Sequence, residues 1–144
     1  MYKRLAILSL LALNTCYAKE LTSYQEAVDA LANGQPIRYF LDWDACKVTN
    51  PNGTGNVANF SSFYQPENVN VHKEGYLVSQ GTAYTHLIRK FPELGATNQY
   101  YVYVFTKTGT LHVMNRFLDP VTFAEKAKPI EADCQLGVGF KVFA

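Results

Sequence analysis

The sequence predicts an α+β domain in which an N-terminal helix packs on a curved antiparallel β-sheet, with a short second helix before the last strand. Three observations favour this class. One segment has apolar residues at helical spacing between helix-capping residues, several segments alternate with the period of a strand, and no strand–helix–strand alternation of the parallel kind occurs. The predicted order is helix, several strands, short helix and strand.

The first helix is predicted between Ser23 and Gly34. Ser23 and Glu26 have the spacing of a capping box, in which each side chain accepts a hydrogen bond from the other residue's backbone N–H. Gly34 stands where a left-handed C-terminal cap belongs. Apolar residues recur at helical spacing between these ends, namely Tyr24, Ala27, Val28 and Leu31.

Alternating apolar and polar residues predict the first strands. Residues 37–43 alternate in this way and predict a strand buried mainly on one face. Residues 47–59 are rich in asparagine, glycine, threonine and proline, which predicts a long exposed loop. Further strands are predicted at 60–64, 69–71 and 76–88, the last one bent at Gly81.

The clearest hairpin joins residues 98–106 to residues 111–117, because a short glycine-containing connection separates two strand-like segments. Placing Thr106 opposite Thr110 sets the register. One face then carries Tyr101, Tyr103, Phe105, Leu111, Val113 and Asn115, and the other carries Tyr100, Val102, Val104, His112, Met114 and Arg116. The first face is more apolar, so we expect it to face the core.

A second helix is predicted to begin at Asp119. Aspartate is a favourable N-cap, Pro120 suits the first helical position, and Pro129 ends the segment. Residues 135–143 then alternate as a closing strand.

Residues 1–18 have the features of a signal peptide. Lys3 and Arg4 precede the apolar residues 5–13, which are too few to span a bilayer. Cys16-Tyr17-Ala18 then places small residues three and one positions before a bond that a signal peptidase can cut. We therefore predict a single mature domain at 19–144 with a secreted or periplasmic location.

Two alternative interpretations of this segment remain open. Cys16 resembles a lipoprotein acceptor cysteine, although Asn14 occupies a position where such sites have a small residue. A buried N-terminal helix would leave the two positive charges ahead of the apolar residues without a role.

Cleavage at this point would leave a nearly neutral protein. The chain has 13 lysines and arginines against 12 acidic residues, and loss of Lys3 and Arg4 leaves 11 against 12, so the formal charge changes from +1 to −1. A nucleic-acid partner needs a basic surface and is not expected. No basic run is present to hold an anionic membrane.

Cys46 and Cys134 are the two cysteines that remain after cleavage. An isolated pair in an oxidising compartment predicts a disulfide, here between an early loop and the last strand. The alternative is a redox or nucleophilic thiol, but no Cys-x-x-Cys motif is present and neither cysteine has a neighbouring histidine.

The sequence assigns no catalytic residue, metal ligand or cofactor. Asp42 and Asp44 suggest a calcium loop, yet Cys46 and Lys47 occupy its third ligand position and its obligatory glycine position. The three histidines have no second ligand at helical spacing. A serine–histidine–acid triad assembled from separate strands stays open.

Tyr100, His112 and Arg116 form the candidate ligand-binding site, because the hairpin register places them on one face. Val102, Val104 and Met114 supply an apolar floor between them. Arginine can hold a carboxylate or phosphate bidentately, so the predicted ligand is a small anion. The alternative is a solvated sheet face on which the charged groups serve solubility.

The helix start Leu21-Thr22-Ser23-Tyr24, the helix end Leu31-x-x-Gly34, the strand 37–42 and Cys46 resemble the VirK family of small exported bacterial proteins. The resemblance covers most of the mature chain. It implies a bacterial envelope or secreted location and carries no established activity, substrate or catalytic residue.

Two functions follow as hypotheses. The first is an exported, non-enzymatic binding module for a small ligand or a protein, with a virulence- or host-associated role. The alternative is a small exported hydrolase whose residues converge from separate strands.

Overall fold

The computed structural model describes residues 18–49, 61–86, 88 and 91–144. Residues 1–17 of the predicted signal peptide and residues 50–59 of the predicted loop lie outside this part. The described residues contain one α-helix and ten strands, which in chain order are β1 (Glu20–Leu21), α1 (Tyr24–Ala32), β2 (Arg38–Asp42), β3 (Lys47–Thr49), β4 (Ser61–Tyr64), β5 (Asn68–His72), β6 (Tyr76–Thr85), β7 (Thr97–Thr106), β8 (Thr110–Leu118), β9 (Glu125–Gln135) and β10 (Phe140–Phe143).

The strands form two antiparallel sheets. The smaller sheet has the order β1-β10-β2-β4 and the larger has the order β3-β9-β8-β7-β6-β5. The chain crosses from β2 in one sheet to β3 in the other through a short 3-10 helix, Trp43–Ala45. The chain therefore connects the two sheets, while the strands of each sheet form their own separate ladder of backbone hydrogen bonds.

The hydrophobic core lies between the two sheets. Phe105 of the larger sheet meets Phe140 of the smaller one edge to face, with ring centroids 5.2 Å apart, and it also contacts Tyr24 of α1 at 5.7 Å. Ser79 Oγ donates a buried hydrogen bond of 3.1 Å to Tyr39 Oη across the same core. These contacts join both sheets and the helix into one packed unit.

The predicted fold class is wrong. The fold is β-rich, with two antiparallel sheets in place of one curved sheet and with no second α-helix among the described residues. The predicted second helix is a turn followed by β9, and the closing strand begins at Phe140 rather than at Gln135.

Asp119 explains why the local signal for a second helix was misleading. Its Oδ1 accepts hydrogen bonds from the backbone N–H groups of Val121 and Thr122, at 3.0 and 2.8 Å, as a helix N-cap would. Phe123 then takes a left-handed conformation with φ of 58°, which turns the chain back along β8. Pairing with β8 buries Ile130, Ala132 and Cys134, and this tertiary contact outweighs local helix propensity.

A β-bulge accommodates the proline that was predicted to end the helix. Asn115 faces Ile130 and Phe117 faces Ala127, so two residues of β9, Lys128 and Pro129, stand opposite one residue of β8. Proline lacks an N–H for the ladder and is tolerated at such an irregularity.

The predicted helix and the positions of its two ends are confirmed, but only one of the two hydrogen bonds of the predicted capping box forms. Ser23 Oγ accepts from the Glu26 N–H at 3.2 Å, while the Glu26 carboxylate accepts from the N–H of Thr22, one residue earlier than a capping box requires. Gly34 has φ of 75°, and Gln35 N donates to Ala30 O at 2.9 Å, which completes a Schellman motif.

The predicted register of the β7–β8 hairpin is also confirmed. Phe105 pairs with Leu111 and Tyr100 pairs with Arg116, as the placement of Thr106 opposite Thr110 requires. The face predicted to be more apolar is the buried one, since Tyr103, Phe105, Leu111 and Val113 are at most 3% exposed.

Cys46 and Cys134 form the predicted disulfide, with Cα atoms 4.5 Å apart. Cys46 follows the short 3-10 helix that leads from β2 to β3, just past the first predicted strand. Cys134 lies in β9 and not in the last strand, because residues 125–135 form a strand rather than a helix. The bond therefore fastens the crossing segment to the larger sheet.

Candidate ligand-binding site

The structure places the three residues of the predicted anion site on the outer face of the larger sheet. Tyr100 and Arg116 are direct cross-strand partners, and His112 stands opposite Val104 further along the same hairpin. The shared face is thus as expected. The predicted ligand-binding role of these residues stays a prediction.

Each polar group of this outer face already has a neighbour. Arg116 Nη2 lies 2.7 Å from Glu125 Oε1, and His112 Nδ1 lies 2.8 Å from Asp133 Oδ1. Tyr100 Oη donates to Gln80 Oε1 at 2.6 Å. An anion at this face would compete with two carboxylates from β9, so the face offers less positive charge than its residues suggest.

A second candidate site is a cavity of about 520 Å³ between the two sheets. Its size is typical of small-molecule pockets. The lining residues that the structure describes are Trp43, Ser62, Phe63, Tyr64, Thr82, Ala83, Ile88, Phe91, Tyr101, Tyr103, Asn115, Phe117 and Ile130. None of these residues carries a charge, and most are aromatic or aliphatic. We call this space the intersheet cavity.

Tyr64 forms a wall of the intersheet cavity. Its ring stacks on the Tyr103 ring of the opposite sheet, with centroids 4.4 Å apart and 22° between the planes. The Tyr64 hydroxyl lies against Gly81 of β6, where an added Cβ would overlap it. Glycine at position 81 therefore allows this ring to lie between the sheets.

Few polar atoms line the cavity, and most of them are paired. Trp43 Nε1 donates to Ser62 Oγ at 2.9 Å. Gln99 Oε1 accepts from Tyr101 Oη at 2.7 Å and from Asn115 Nδ2 at 3.3 Å. These bonds hold an indole, a phenol and an amide at fixed positions around a mainly apolar space.

Two buried atoms of the cavity lining have no hydrogen-bond partner, Tyr64 Oη and Asn115 Oδ1. Leaving a buried polar atom unpaired costs about 1–3 kcal/mol, so native structures contain few such atoms. Because both atoms belong to residues that line one cavity, a ligand bound there can form hydrogen bonds that the fold leaves unmade.

Burial raises the pKa of the tyrosines that line or adjoin this cavity. The pKa of Tyr39 rises to about 12, against its ordinary value of 10.0. Burial is also the first cause of the raised pKa values of Tyr64, Tyr101 and Tyr103. These phenols are therefore neutral at physiological pH, and the aromatic walls stay uncharged.

The buried tyrosines predict a loss of stability in alkali. The unfolded chain releases its phenol protons near pH 10, while folded Tyr39 holds its proton up to about pH 12. The folded state then binds more protons, so the free energy of unfolding is unaffected by Tyr39 below about pH 10 and falls between pH 10 and 12. Tyr39 alone contributes a fall of about 3 kcal/mol.

Denaturant unfolding at a series of pH values measures this fall. Tyr39→Phe is the matched variant, because it keeps the ring and removes the titrating hydroxyl, and its alkaline loss should be smaller by about that amount. An identical pH profile for both proteins would show that Tyr39 titrates normally in the folded state.

The sequence predicted which face of the β7–β8 hairpin carries the cavity residues, but it did not predict the cavity. Tyr101, Tyr103 and Asn115 were correctly placed on the inner face of the hairpin. The opposite wall comes from β4 of a second sheet that the strand pattern did not reveal. A signal was present in Gly81, since a glycine inside a strand often marks a close approach of another group.

The described residues show neither a metal site nor a membrane helix. No three histidine, cysteine, aspartate or glutamate side chains in this part of the chain are grouped so that they could hold a metal ion. No helix described by the structure has the length and apolar character needed to cross a membrane.

The described residues form two antiparallel sheets with one α-helix, one disulfide and an aromatic intersheet cavity. No protein-family model and no curated protein matches the sequence. The structure is similar to the crystal structure of a VirK family protein from Legionella pneumophila, with a TM-score of 0.76 and 21% identity over 87% of this chain and 98% of that chain. The shared fold supports the VirK resemblance of the sequence. The disulfide is consistent with an extracytoplasmic protein.

Proposed function

We propose that this protein is an exported, non-enzymatic binding module whose ligand occupies the intersheet cavity. The observation that carries the proposal is the cavity itself, a pocket-sized apolar space with aromatic walls and two unpaired buried polar atoms. The Cys46–Cys134 bond fastens the segment between Trp43 and β3 to the larger sheet, and so helps to preorganise one wall.

Export is supported by three features. Residues 1–18 have the charge, apolar run and cleavage pattern of a signal peptide. The two cysteines of the proposed mature domain, 19–144, are bonded to each other. The structural neighbour is a VirK family protein. By analogy with that family name, we assign the protein a virulence- or host-associated role in the periplasm or outside the cell.

A binding role fits the cavity better than hydrolysis does. Activation of a serine requires a base within hydrogen-bond reach. Ser62 is the serine among the described lining residues, and its Oγ accepts from Trp43. The described lining contains no histidine, aspartate or glutamate to activate it.

The uncharged fluorescent probe N-phenyl-1-naphthylamine tests this proposal. Trp43 is the one tryptophan of the sequence and lines the cavity, so energy transfer from it to the probe reports binding to the protein, and a substitution in the cavity lining then locates the site. We expect a saturable rise in probe emission with one site per chain. Ala83 is an exposed lining residue, and Ala83→Phe should fill the opening and weaken binding by roughly tenfold.

The matched control is Ala32→Phe, the same change at an exposed helix residue outside the cavity lining. It should leave probe binding unchanged. Equal probe binding by both variants, or emission that never saturates, would contradict a site in the intersheet cavity.

A further inference from the structure

The described walls of the intersheet cavity disfavour charged ligands. None of the described lining residues is acidic, basic or a histidine, so a charged ligand would lose its hydration without gaining a counter-charge from them. The inner tyrosines do not supply charge either, since their raised pKa values keep them protonated. The part of the wall that the structure describes therefore favours a neutral molecule.

The tyrosine rings select for ligand shape. The rings of Tyr64, Tyr101 and Tyr103 form a triangular cluster. The centroid of Tyr103 is 4.4 Å from that of Tyr64 and 6.3 Å from that of Tyr101, and the Tyr64 and Tyr101 centroids are 6.1 Å apart with their planes tilted by 44°. Such a cluster presents apolar ring surfaces, on which aromatic rings pack in offset or edge-on arrangements. A flat ring system is the shape that these walls accommodate best.

Asn115 adds a requirement for a hydrogen-bond donor. Its Nδ2 is held by Gln99, while its Oδ1 is buried and unpaired. The terminal torsion of an asparagine is soft, so a small rotation can turn Oδ1 toward a bound molecule. A ligand O–H or N–H that reaches this atom would remove the cost of leaving it unpaired.

We infer that the ligand is an uncharged, flat, ring-containing molecule that donates one hydrogen bond to Asn115 Oδ1. This inference rests on the proposed function, because it names the class of ligand for the same cavity. It differs from the anion expected at the outer face around Arg116, which lies on the other side of the larger sheet.

Isothermal titration with four bicyclic compounds tests the ligand class at neutral pH. 2-Naphthol has the expected features, 2-methoxynaphthalene has a methyl ether in place of the donor O–H, and 2-naphthoate and 2-naphthylmethylammonium carry opposite charges. We expect 2-naphthol to bind tightest and 2-methoxynaphthalene to bind roughly fivefold more weakly, the effect of one neutral hydrogen bond. Both ions should bind roughly a hundredfold more weakly.

Asn115→Leu isolates the hydrogen bond, because leucine has a similar shape and no acceptor. This variant should bind 2-naphthol and 2-methoxynaphthalene with equal affinity. The comparison of the two compounds on the native protein does not depend on the variant, so the test holds even if the substitution disturbs folding.

The possible results separate the two proposals. Tighter binding of an ion or of 2-methoxynaphthalene, still weakened by Ala83→Phe, would overturn the ligand class and leave the cavity as the binding site. Failure of all four compounds to bind would overturn both the ligand class and the proposed function.

Discussion

Replacing both Cys46 and Cys134 by alanine is expected to lower the free energy of unfolding by roughly 4 to 5 kcal/mol. The bond joins residues 88 positions apart, so it removes much of the freedom of the unfolded chain. Alanine is chosen because Cys134 is fully buried, where a serine hydroxyl would add a cost of its own. The measurement is unfolding in guanidinium chloride.

The reduced native protein provides the control for this variant. It should unfold at nearly the same denaturant concentration as the double alanine variant, since both lack the crosslink. A loss of less than about 1 kcal/mol in the variant would show that the disulfide contributes little to stability, contrary to the chain-entropy argument.

Phe105→Ala is expected to cost about 3 to 5 kcal/mol of unfolding free energy. Phe105 is fully buried and contacts Phe140 of the smaller sheet and Tyr24 of the helix, so its removal leaves a cavity where three elements meet. Thermal and denaturant unfolding both measure the effect.

Phe123→Ala is the matched control, because this phenylalanine is 65% exposed in the turn before β9. Its loss should change stability by no more than about 0.5 kcal/mol. Similar losses for the two variants would contradict the placement of the core between the sheets.

Local signals in the sequence predicted the elements that depend on local chemistry. The helix from Tyr24 has its caps where Ser23 and Gly34 indicated, because caps act over a few residues of backbone. The β7–β8 register followed from the short connection and the apolar face. The disulfide was predicted from the number of cysteines in the proposed mature domain.

The fold class was wrong because strand pairing is a tertiary property. Alternation shows that β2 is a strand, but not that it lies between β10 and β4, which are far from each other in sequence. The prediction of a second helix was wrong for a related reason. Asp119 makes the capping bonds of a helix start, and only the pairing of β9 with β8 decides against the helix.

The intersheet cavity could not be predicted from the sequence for the same reason. Its walls come from both sheets, and Tyr64 can lie between them because position 81 is a glycine. The predicted outer-face residues share a face, as the strand period requires, but the strand period does not show that Glu125 pairs with Arg116 and Asp133 with His112.

Methyl NMR with 2-naphthol distinguishes a ligand bound between the two sheets from one bound on the outer face of the larger sheet. The proposed mature domain has three isoleucines and one methionine. Ile88 and Ile130 line the cavity, and Ile37 belongs to the core outside the cavity lining. Met114 lies on the outer face beside the predicted anion site, so four methyl-bearing residues distinguish the two sites.

Bound 2-naphthol should shift the methyl signals of Ile88 and Ile130 strongly through its ring current and leave those of Ile37 and Met114 in place. A shift confined to Met114 would place the ligand on the outer face. That result would contradict the intersheet site.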